Sequence, residues 1–269
     1  MTAVIFVGAG PGSADLITVR GARALAAARI VLHDALTDPA LRAIAPAAAW
    51  IDVGKRGFCN STAQSRINAL LVQHGRGGGV IRLKGGDPSV FGRLEEELQA
   101  LAAAGIDCEV VPGVTAAIAA AAALRRPLTR RGVGRSVALT TAMTDAGDLV
   151  GARSADTEVF YMAGRQLAAL SRRLLTVGWP AATPVAVVSH AGWPDQRSSD
   201  HCVQTLPAAC TVHAGRPAVV IVGVGASALP VHADIRAPAV LSATGPPSDL
   251  CARSRRNDTR VRSVAGSAS

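Results

Sequence analysis

The sequence has 269 residues, of which 49% are hydrophobic and 17% are charged. This composition is typical of a packed globular protein and excludes a chain that is mostly disordered. The net charge of +9 would suit either nucleic acid or a small anionic ligand. Aromatic residues make up only 3%, and no nucleic-acid-binding motif is present, so a small anionic substrate is favoured. An arginine-rich surface without a charged ligand would explain the charge equally well.

No membrane span, leader peptide or metal site is predicted. The N-terminus enters a strand-like run at residues 4–7 without a basic stretch or a cleavage site. The longest apolar stretch, residues 114–124, is about half of the roughly 20 residues that cross a bilayer. The five cysteines are scattered, and the cluster of His201, Cys202, Cys210 and His213 matches no zinc module. We therefore expect a cytoplasmic protein without a bound metal.

The first half of the chain alternates short apolar runs with helical segments. Strands are predicted at 4–9, 30–32, 50–53, 80–83 and 108–111, and helices at 18–29, 61–74 and 94–104. Strands that alternate with helices favour a largely parallel sheet. The sequence therefore predicts a first α/β lobe over residues 1–113.

A second lobe is predicted after the Pro112-Gly113 turn. An alanine-rich helix at 115–124 is interpreted as the bridge between the lobes. Further strands are predicted at 137–141, 158–162, 185–188 and 218–222, with a helix at 165–177. We assign residues 114–228 to this lobe and expect residues 229–269, rich in Pro, Ser, Gly and Arg, to be a poorly ordered tail.

The glycine-rich loop at residues 8–12 follows the first strand and is similar to a dinucleotide-binding loop. Its fit is poor, because Ser13 stands where the third small residue of that motif belongs. Pro11 also removes a backbone donor from the loop that would hold a pyrophosphate. NAD binding is thus disfavoured, although the loop alone does not exclude it.

The segment from Arg82 to Arg93 is a stronger indication of a ligand site. It lies at the carboxyl end of a predicted strand, where ligands bind in open α/β sheets. The adjacent Gly85 and Gly86 allow a flat ligand to approach the backbone, and Asp87 could hold ribose hydroxyls or an amino group. A plain β-turn would use similar residues, but twelve consecutive residues are more specific than a turn signature.

Lysine usage gives a separate indication. The chain has two lysines, Lys55 and Lys84, beside 26 arginines, and both fall in suspected motifs. This suggests that these positions need a compact ammonium that can change its protonation state, although chance placement would give the same pattern.

Six segments resemble, in order and spacing, the uroporphyrinogen-III C-methyltransferases of the wider tetrapyrrole methylase class. The similarity covers about residues 4–226. Residues 32–36 and 54–56 are similar to this member of the class rather than to later corrin methylases or ribosomal RNA methylases. The matching segments are 7–12, 53–57, 67–71, 82–93, 111–115 and 127–129.

The resemblance implies a two-lobed α/β fold with a largely parallel first sheet, a mixed second sheet and S-adenosylmethionine between the lobes. It also implies a homodimer that methylates uroporphyrinogen III at carbons 2 and 7, giving precorrin-2 for sirohaem or cobalamin synthesis. The alternatives are another corrin-precursor methylase, an NAD-binding oxidoreductase, and a nucleic-acid binder that uses the basic tail. Neither nucleic acid nor a membrane is expected as a partner.

The resemblance also implies roles for single residues. The acid/base pair would be Asp34 and Lys55, for which a surface salt bridge is the alternative. Ala191 departs from the family, where glycine is common. The implied cofactor contacts are Pro11, Gly85, Gly86, Asp87, Val90, Thr115, Ala116, Met162 and Ala191. Candidate partners for the substrate carboxylates are Arg56, Arg66, Arg93, Arg130, Arg131 and Arg135.

Overall fold

The computed structural model describes residues 3–54, 64–142 and 151–229, which all lie in one compact unit, Met1–Leu229. The strands in these ranges are β1 (Val4–Gly8), β2 (Ile30–His33), β3 (Ala49–Asp52), β4 (Val80–Lys84), β5 (Cys108–Val111), β6 (Val137–Thr141), β7 (Thr157–Tyr161), β8 (Pro184–Ser189), β9 (Arg197–Cys202) and β10 (Ala218–Gly223). The α-helices are α1 (Val19–Ala26), α2 (Gln64–Gly75), α3 (Leu94–Ala103), α4 (Ala116–Leu124), α5 (Leu167–Thr176) and α6 (Cys210–His213).

The first sheet has the strand order β3-β2-β4-β1-β5, and all its pairs are parallel. Its inner strands are apolar on both sides because helices cover both faces. On one face Phe6 and Leu32 pack with residues of α2 and α3, and on the other Val7 and Leu83 pack against α1. The prediction of a parallel first sheet is confirmed. All its carboxyl ends therefore meet at one edge.

The second sheet has the order β6-β7-β10-β8-β9 and is mixed, as predicted. Strands β6 and β7 are parallel, whereas the other neighbours are antiparallel. The alanine-rich helix α4 packs on one face of this sheet, where Ala117 and Ala120 are fully buried against Val159 and Ile221. Small side chains let the helix approach the strands closely, so the predicted bridging helix belongs to the core of the second sheet. The assigned boundaries at residues 113 and 228 stay a prediction.

Two elements were not predicted from the sequence. Strand β9 carries polar residues and lies at the edge of the second sheet, where it pairs only with β8 among the described strands. An edge strand with one solvent-facing side lacks the apolar run by which buried strands are found. Helix α6 spans only Cys210–His213, too short for a periodic pattern. Residues 61–63 of the second predicted helix, and the predicted tail from residue 230 onward, lie outside the described residues.

Among the described residues, none of the helices combines the length and the apolar character that crossing a membrane requires. Within the same ranges, no group of three or more His, Cys, Asp or Glu side chains is arranged to hold a metal ion.

A series of hydrogen-bonded histidine and serine side chains lies near the β9 edge of the second sheet. His213 is fully buried, with Nε2 2.9 Å from Ser199 Oγ and Nδ1 2.8 Å from Ser189 Oγ. Ser199 Oγ also lies 2.7 Å from Nε2 of His201. Burial, together with the nearby positive charges, lowers the pKa of His213 to about 4. His213 is therefore a neutral hydrogen-bonding group at ordinary pH.

We expect His213 to weaken the fold as the pH falls. Its pKa is 6.5 when unfolded and about 4 when folded, so the unfolded chain binds the proton first. The stabilisation is complete above pH 6.5 and is lost progressively down to pH 4, by at most about 3 kcal/mol. His213→Gln should therefore flatten the pH dependence of the free energy of unfolding in this range, as measured by urea denaturation. An unchanged slope would show that His213 does not cause it.

Candidate active site

Three loops meet at the carboxyl edge of the first sheet, after β1, β4 and β5. Gly86 N donates to Gly10 O at 2.7 Å, and Gly10 N donates to Gly86 O at 3.3 Å, which joins the first two loops. A Cβ on Gly8 would lie 2.5 Å from Gly113 Cα, and a Cβ on Gly113 would overlap the carbonyl oxygen of Gly86. Side chains at Gly8 and Gly113 would therefore force the loops apart.

Gly86 presents bare backbone to an open space. Its φ of +71° lies in the left-handed region, which favours glycine. An added Cβ would have a single neighbouring atom within 4 Å among the described residues, Thr115 Cα at 3.9 Å. The approach of a flat ligand to this backbone stays a prediction. Gly85 precedes it, with Leu36 Cβ as the nearest atom to an added Cβ, at 3.5 Å.

Asp87 connects the second loop to the third. Its Oδ2 accepts from Gly113 N at 2.8 Å and its Oδ1 accepts from Ser89 N, also at 2.8 Å. Val90 N donates back to the carbonyl oxygen of Asp87 at 3.2 Å and closes a turn. Each carboxylate oxygen has a second lone pair, so the predicted contact to a ligand remains chemically open.

Tyr161 joins this edge to the second sheet. Its hydroxyl lies 2.7 Å from Thr115 Oγ1 and accepts from Ala117 N at 3.2 Å. The ring also packs beside Phe91, with centroids 5.0 Å apart. Met162 follows at φ +59° with its side chain 55% exposed. The predicted contacts Thr115, Ala116 and Met162 thus lie around one tyrosine, although they come from different parts of the chain.

The first glycine loop also contacts the second half of the chain. Trp193 Nε1 donates to Pro11 O at 3.1 Å, and Ser13 N donates to Gly192 O at 2.8 Å. Pro11 and Ala191 therefore lie on adjoining segments, and their contacts to the cofactor stay a prediction. Ala191 is 6% exposed and belongs to the core cluster of the second sheet, which accommodates the methyl group that distinguishes it from glycine.

Asp34 follows β2 at the same edge. Arg82 Nη2 donates to Asp34 Oδ1 at 2.7 Å, and the Asp34 side chain is 31% exposed. Its predicted partner Lys55 lies outside the described residues. Gly54, the residue before it, packs so closely on Ala35 that an added Cβ would overlap the Ala35 backbone. Gly54, which precedes Lys55 in the sequence, therefore lies against Ala35, the residue that follows Asp34.

A buried charged cluster lies below Asp34. Arg82, Lys84 and Glu97 are each at most 2% exposed, and Lys84 Nζ donates to both Glu97 oxygens at 2.9 and 3.0 Å. Burial lowers the pKa of Lys84, and the Arg82 guanidinium lowers it further. Burial opposes the charge on Arg82, but Asp34 and Glu97 raise its pKa above the ordinary value. This environment of Lys84 is consistent with the expectation that the position needs a compact ammonium.

Sequence reasoning missed Tyr161, Trp193 and Glu97. Tyr161 is the only tyrosine of the chain and lies within a predicted strand, which is a signal that could have found it. Trp193 stands in a Gly-Trp-Pro turn. Glu97 gives no local signal, because a helix with three successive glutamates is typical of an exposed face.

The fold is that of an α/β protein with a parallel and a mixed five-stranded sheet, in which three loops meet at the carboxyl edge of the first sheet. The sequence matches, over residues 3–207, the family described as Tetrapyrrole (Corrin/Porphyrin) Methylases. The match covers most of the chain, which therefore belongs to the tetrapyrrole methylase family. The resemblance predicted from the sequence is confirmed.

Particular relatives define the similarity further. The chain is 44% identical over 199 residues to the uroporphyrinogen-III C-methyltransferase of Pseudomonas aeruginosa, covering 72% of this chain and 81% of that protein. It is 42% identical over 227 residues to siroheme synthase 1 of Klebsiella pneumoniae, of which it spans about half, 48%. Among solved structures, uroporphyrin-III C-methyl transferase from Thermus thermophilus complexed with S-adenyl homocysteine is similar with a TM-score of 0.71. That structure is 34% identical, and the match covers 82% of this chain and 96% of that one.

Proposed function

We propose that this chain is an S-adenosylmethionine-dependent C-methyltransferase that acts on uroporphyrinogen III. It transfers methyl groups to carbons 2 and 7, giving precorrin-2 and two molecules of S-adenosylhomocysteine. The observation that carries the proposal is the open face of Gly86, held by three interlocked loops and bordered by Thr115. The adenosylhomocysteine complex of a similar enzyme supports the same cofactor here.

The residues at the edge fit such a ligand. A Cβ at Gly86 would enter the open space, so glycine there keeps room for a flat adenosine or an extended sulfonium chain. The backbone of Pro11 and Gly85 and the side chains of Val90 and Met162 complete the proposed walls. Thr115, Ala116, Asp87 and Ala191 are the remaining proposed contacts. Binding would hold the sulfonium methyl in line with the attacking carbon, which is the main contribution of positioning to such a transfer.

Proton transfer is the task proposed for Asp34 and Lys55. In each methylation the ring carbon forms a bond to the methyl carbon, the carbon–sulfur bond breaks, and a ring proton must leave. Asp34 is proposed to accept it, and the partial exposure of its carboxylate at the edge and its pairing with Arg82 support this role. Lys55 is proposed to supply or relay a proton, which the packing of Gly54 on Ala35 supports.

The alternative of a nicotinamide site is disfavoured by hydrogen bonding. A dinucleotide loop uses free backbone N–H groups to bind pyrophosphate. Here Gly10 N donates to Gly86 O, Ala9 N donates to Lys84 O, and Pro11 has no N–H. In the loop that suggested NAD, residues 9 and 10 thus use their donors within the protein and residue 11 has none.

We also infer a homodimer in the cytoplasm, with lobes at residues 1–113 and 114–228. Family resemblance supports the dimer. Sedimentation equilibrium of the purified protein should give twice the chain mass, and a single-chain mass would contradict the inference.

The function is tested by anaerobic incubation of purified protein with S-adenosylmethionine and enzymatically made uroporphyrinogen III. Mass spectrometry should show a product with two added methyl groups. Parallel reactions offer a methylated corrin precursor, or NAD in place of the methyl donor. Preferential methylation of the corrin precursor would assign the chain to another step, and NADH formation would favour the oxidoreductase.

A further inference from the structure

The buried charged cluster consists of Asp34, Arg82, Lys84 and Glu97. Three of its members are almost inaccessible, and Asp34 alone reaches the edge with 31% exposure. Two cations face two carboxylates, so the formal charges balance. Burial of ion pairs costs desolvation free energy that their attraction often fails to offset, so stability alone is a weak reason for such a cluster.

The strand and helix geometry explains how these side chains meet. Alternate residues of β4 face the same side, so Arg82 and Lys84 point with Val80 towards the layer of α2 and α3. Glu97 lies on α3 in that layer. Asp34 follows β2, the neighbour of β4, at the same end of the sheet. The cluster therefore connects a helix of the core to the carboxyl edge.

Glu97 fixes the guanidinium of Arg82 on one side. Arg82 Nε donates to Glu97 Oε1 and Oε2 at 3.3 and 3.2 Å, and Arg82 Nη1 donates to the carbonyl oxygens of Leu32 and Leu83 at 3.4 and 3.2 Å. Because a guanidinium is planar and rigid, these contacts set the direction of Nη2. Nη2 is shared between Glu97 Oε1 at 3.2 Å and Asp34 Oδ1 at 2.7 Å.

Asp34 is held through a single oxygen. The bond from Arg82 engages Oδ1, whereas Oδ2 has no hydrogen-bond donor among the described residues. One carboxylate oxygen is thus fixed from below while the other remains available at the edge. This is the arrangement that a carboxylate needs to accept a proton in a defined direction.

We propose that Arg82 is a positioning residue that orients the Asp34 carboxylate for proton transfer, with Glu97 and Lys84 fixing its guanidinium. The inference rests on the proposed function, because Arg82 acts through Asp34. Lys84 also joins the cluster to the ligand loops, since its carbonyl oxygen accepts from Ala9 N at 2.8 Å and the double glycine follows it directly.

A double-mutant cycle tests this positioning. Arg82→Met should lower kcat by about 30-fold in the unmodified background but by less than about 3-fold in the Asp34→Asn background. Affinity for S-adenosylhomocysteine, measured by calorimetry, should stay within about 3-fold in both backgrounds. A residue that only braces the fold would lower turnover by the same factor whether or not Asp34 is present.

Further variants separate positioning from stability. Arg82→Lys keeps a cation for Asp34 and should recover part of the lost turnover. Glu97→Gln keeps the side-chain shape and should also lower kcat more when Asp34 is present than in the Asp34→Asn background. Its loss of kcat should be smaller than that of Arg82→Met. Arg126→Met is the matched control, since Arg126 makes a paired contact to Asp200 and its side chain is 11% exposed. It should lower the Tm without reducing kcat.

Equal losses in the two backgrounds, or loss of cofactor affinity in step with turnover, would overturn the inference. Full activity of Asp34→Asn would overturn it too, because Arg82 could not then act through that residue. A wild-type enzyme that binds S-adenosylhomocysteine but does not methylate uroporphyrinogen III would contradict the proposed function itself, and the inference would fall with it.

Discussion

Valine in place of Gly86 should abolish measurable binding of S-adenosylhomocysteine, with an affinity loss of about 100-fold or more. A branched side chain would enter the space that the bare backbone leaves open, where the nearest atom of the described residues to a Cβ is 3.9 Å away. Titration calorimetry on the folded variant measures the effect. Unchanged affinity would show that the cofactor does not lie against this loop.

Backbone strain must be separated from the loss of ligand space. Gly86 has a φ of +71°, so any β-branched residue there is strained. Gly105 is a matched control, because its φ is +67° and an added Cβ would meet no atom of the described residues within 4 Å. Gly105→Val should cost similar stability and leave the affinity unchanged. Equal affinity losses in both variants would point to strain rather than to a ligand contact.

Asparagine in place of Asp34 should lower kcat by about 100-fold or more while cofactor affinity is retained. The amide keeps the shape of the side chain and can still accept from Arg82, but it cannot take up the ring proton. Lys55→Met should have the same effect if Lys55 is the second member of the pair. Single-turnover methyl transfer at saturating cofactor measures the chemical step directly.

The control for this prediction is an acidic residue in the segment between β2 and β3, outside the proposed chemistry. Asp38 caps a short 3-10 helix by accepting from Ala40 N at 2.9 Å, so Asp38→Asn should change kcat little. If Asp34→Asn and Lys55→Met both transfer methyl groups at the wild-type rate, the pair has only a structural role.

The sequence predicted the elements whose signals are local. The strands of the first sheet are short apolar runs, and the double glycine follows a buried strand, so both the parallel sheet and the position of Gly86 could be read from neighbouring residues. The mixed second sheet and the cofactor between the lobes came from the family resemblance. Edge strand β9 was missed because its residues are polar.

The contacts between distant segments could not be predicted from local pattern. Nothing near Glu97 indicates that it is buried against two cations of β4, since that contact depends on how α3 lies on the sheet. The bonds of Tyr161 to Thr115 and of Trp193 to Pro11 join residues 46 and 182 positions apart. Such contacts follow from the packing of whole elements. The sequence therefore indicated candidate site residues but not the contacts that join them.

Methylation of uroporphyrinogen III at two defined carbons can be observed by carbon-13 NMR. The protein is incubated anaerobically with uroporphyrinogen III and S-adenosylmethionine labelled with carbon-13 in the transferred methyl group. We expect two enriched methyl signals in the product, from methyl groups bonded to carbons 2 and 7 of the macrocycle. Enrichment at other ring positions, or an unlabelled tetrapyrrole recovered with intact methyl donor, would contradict it.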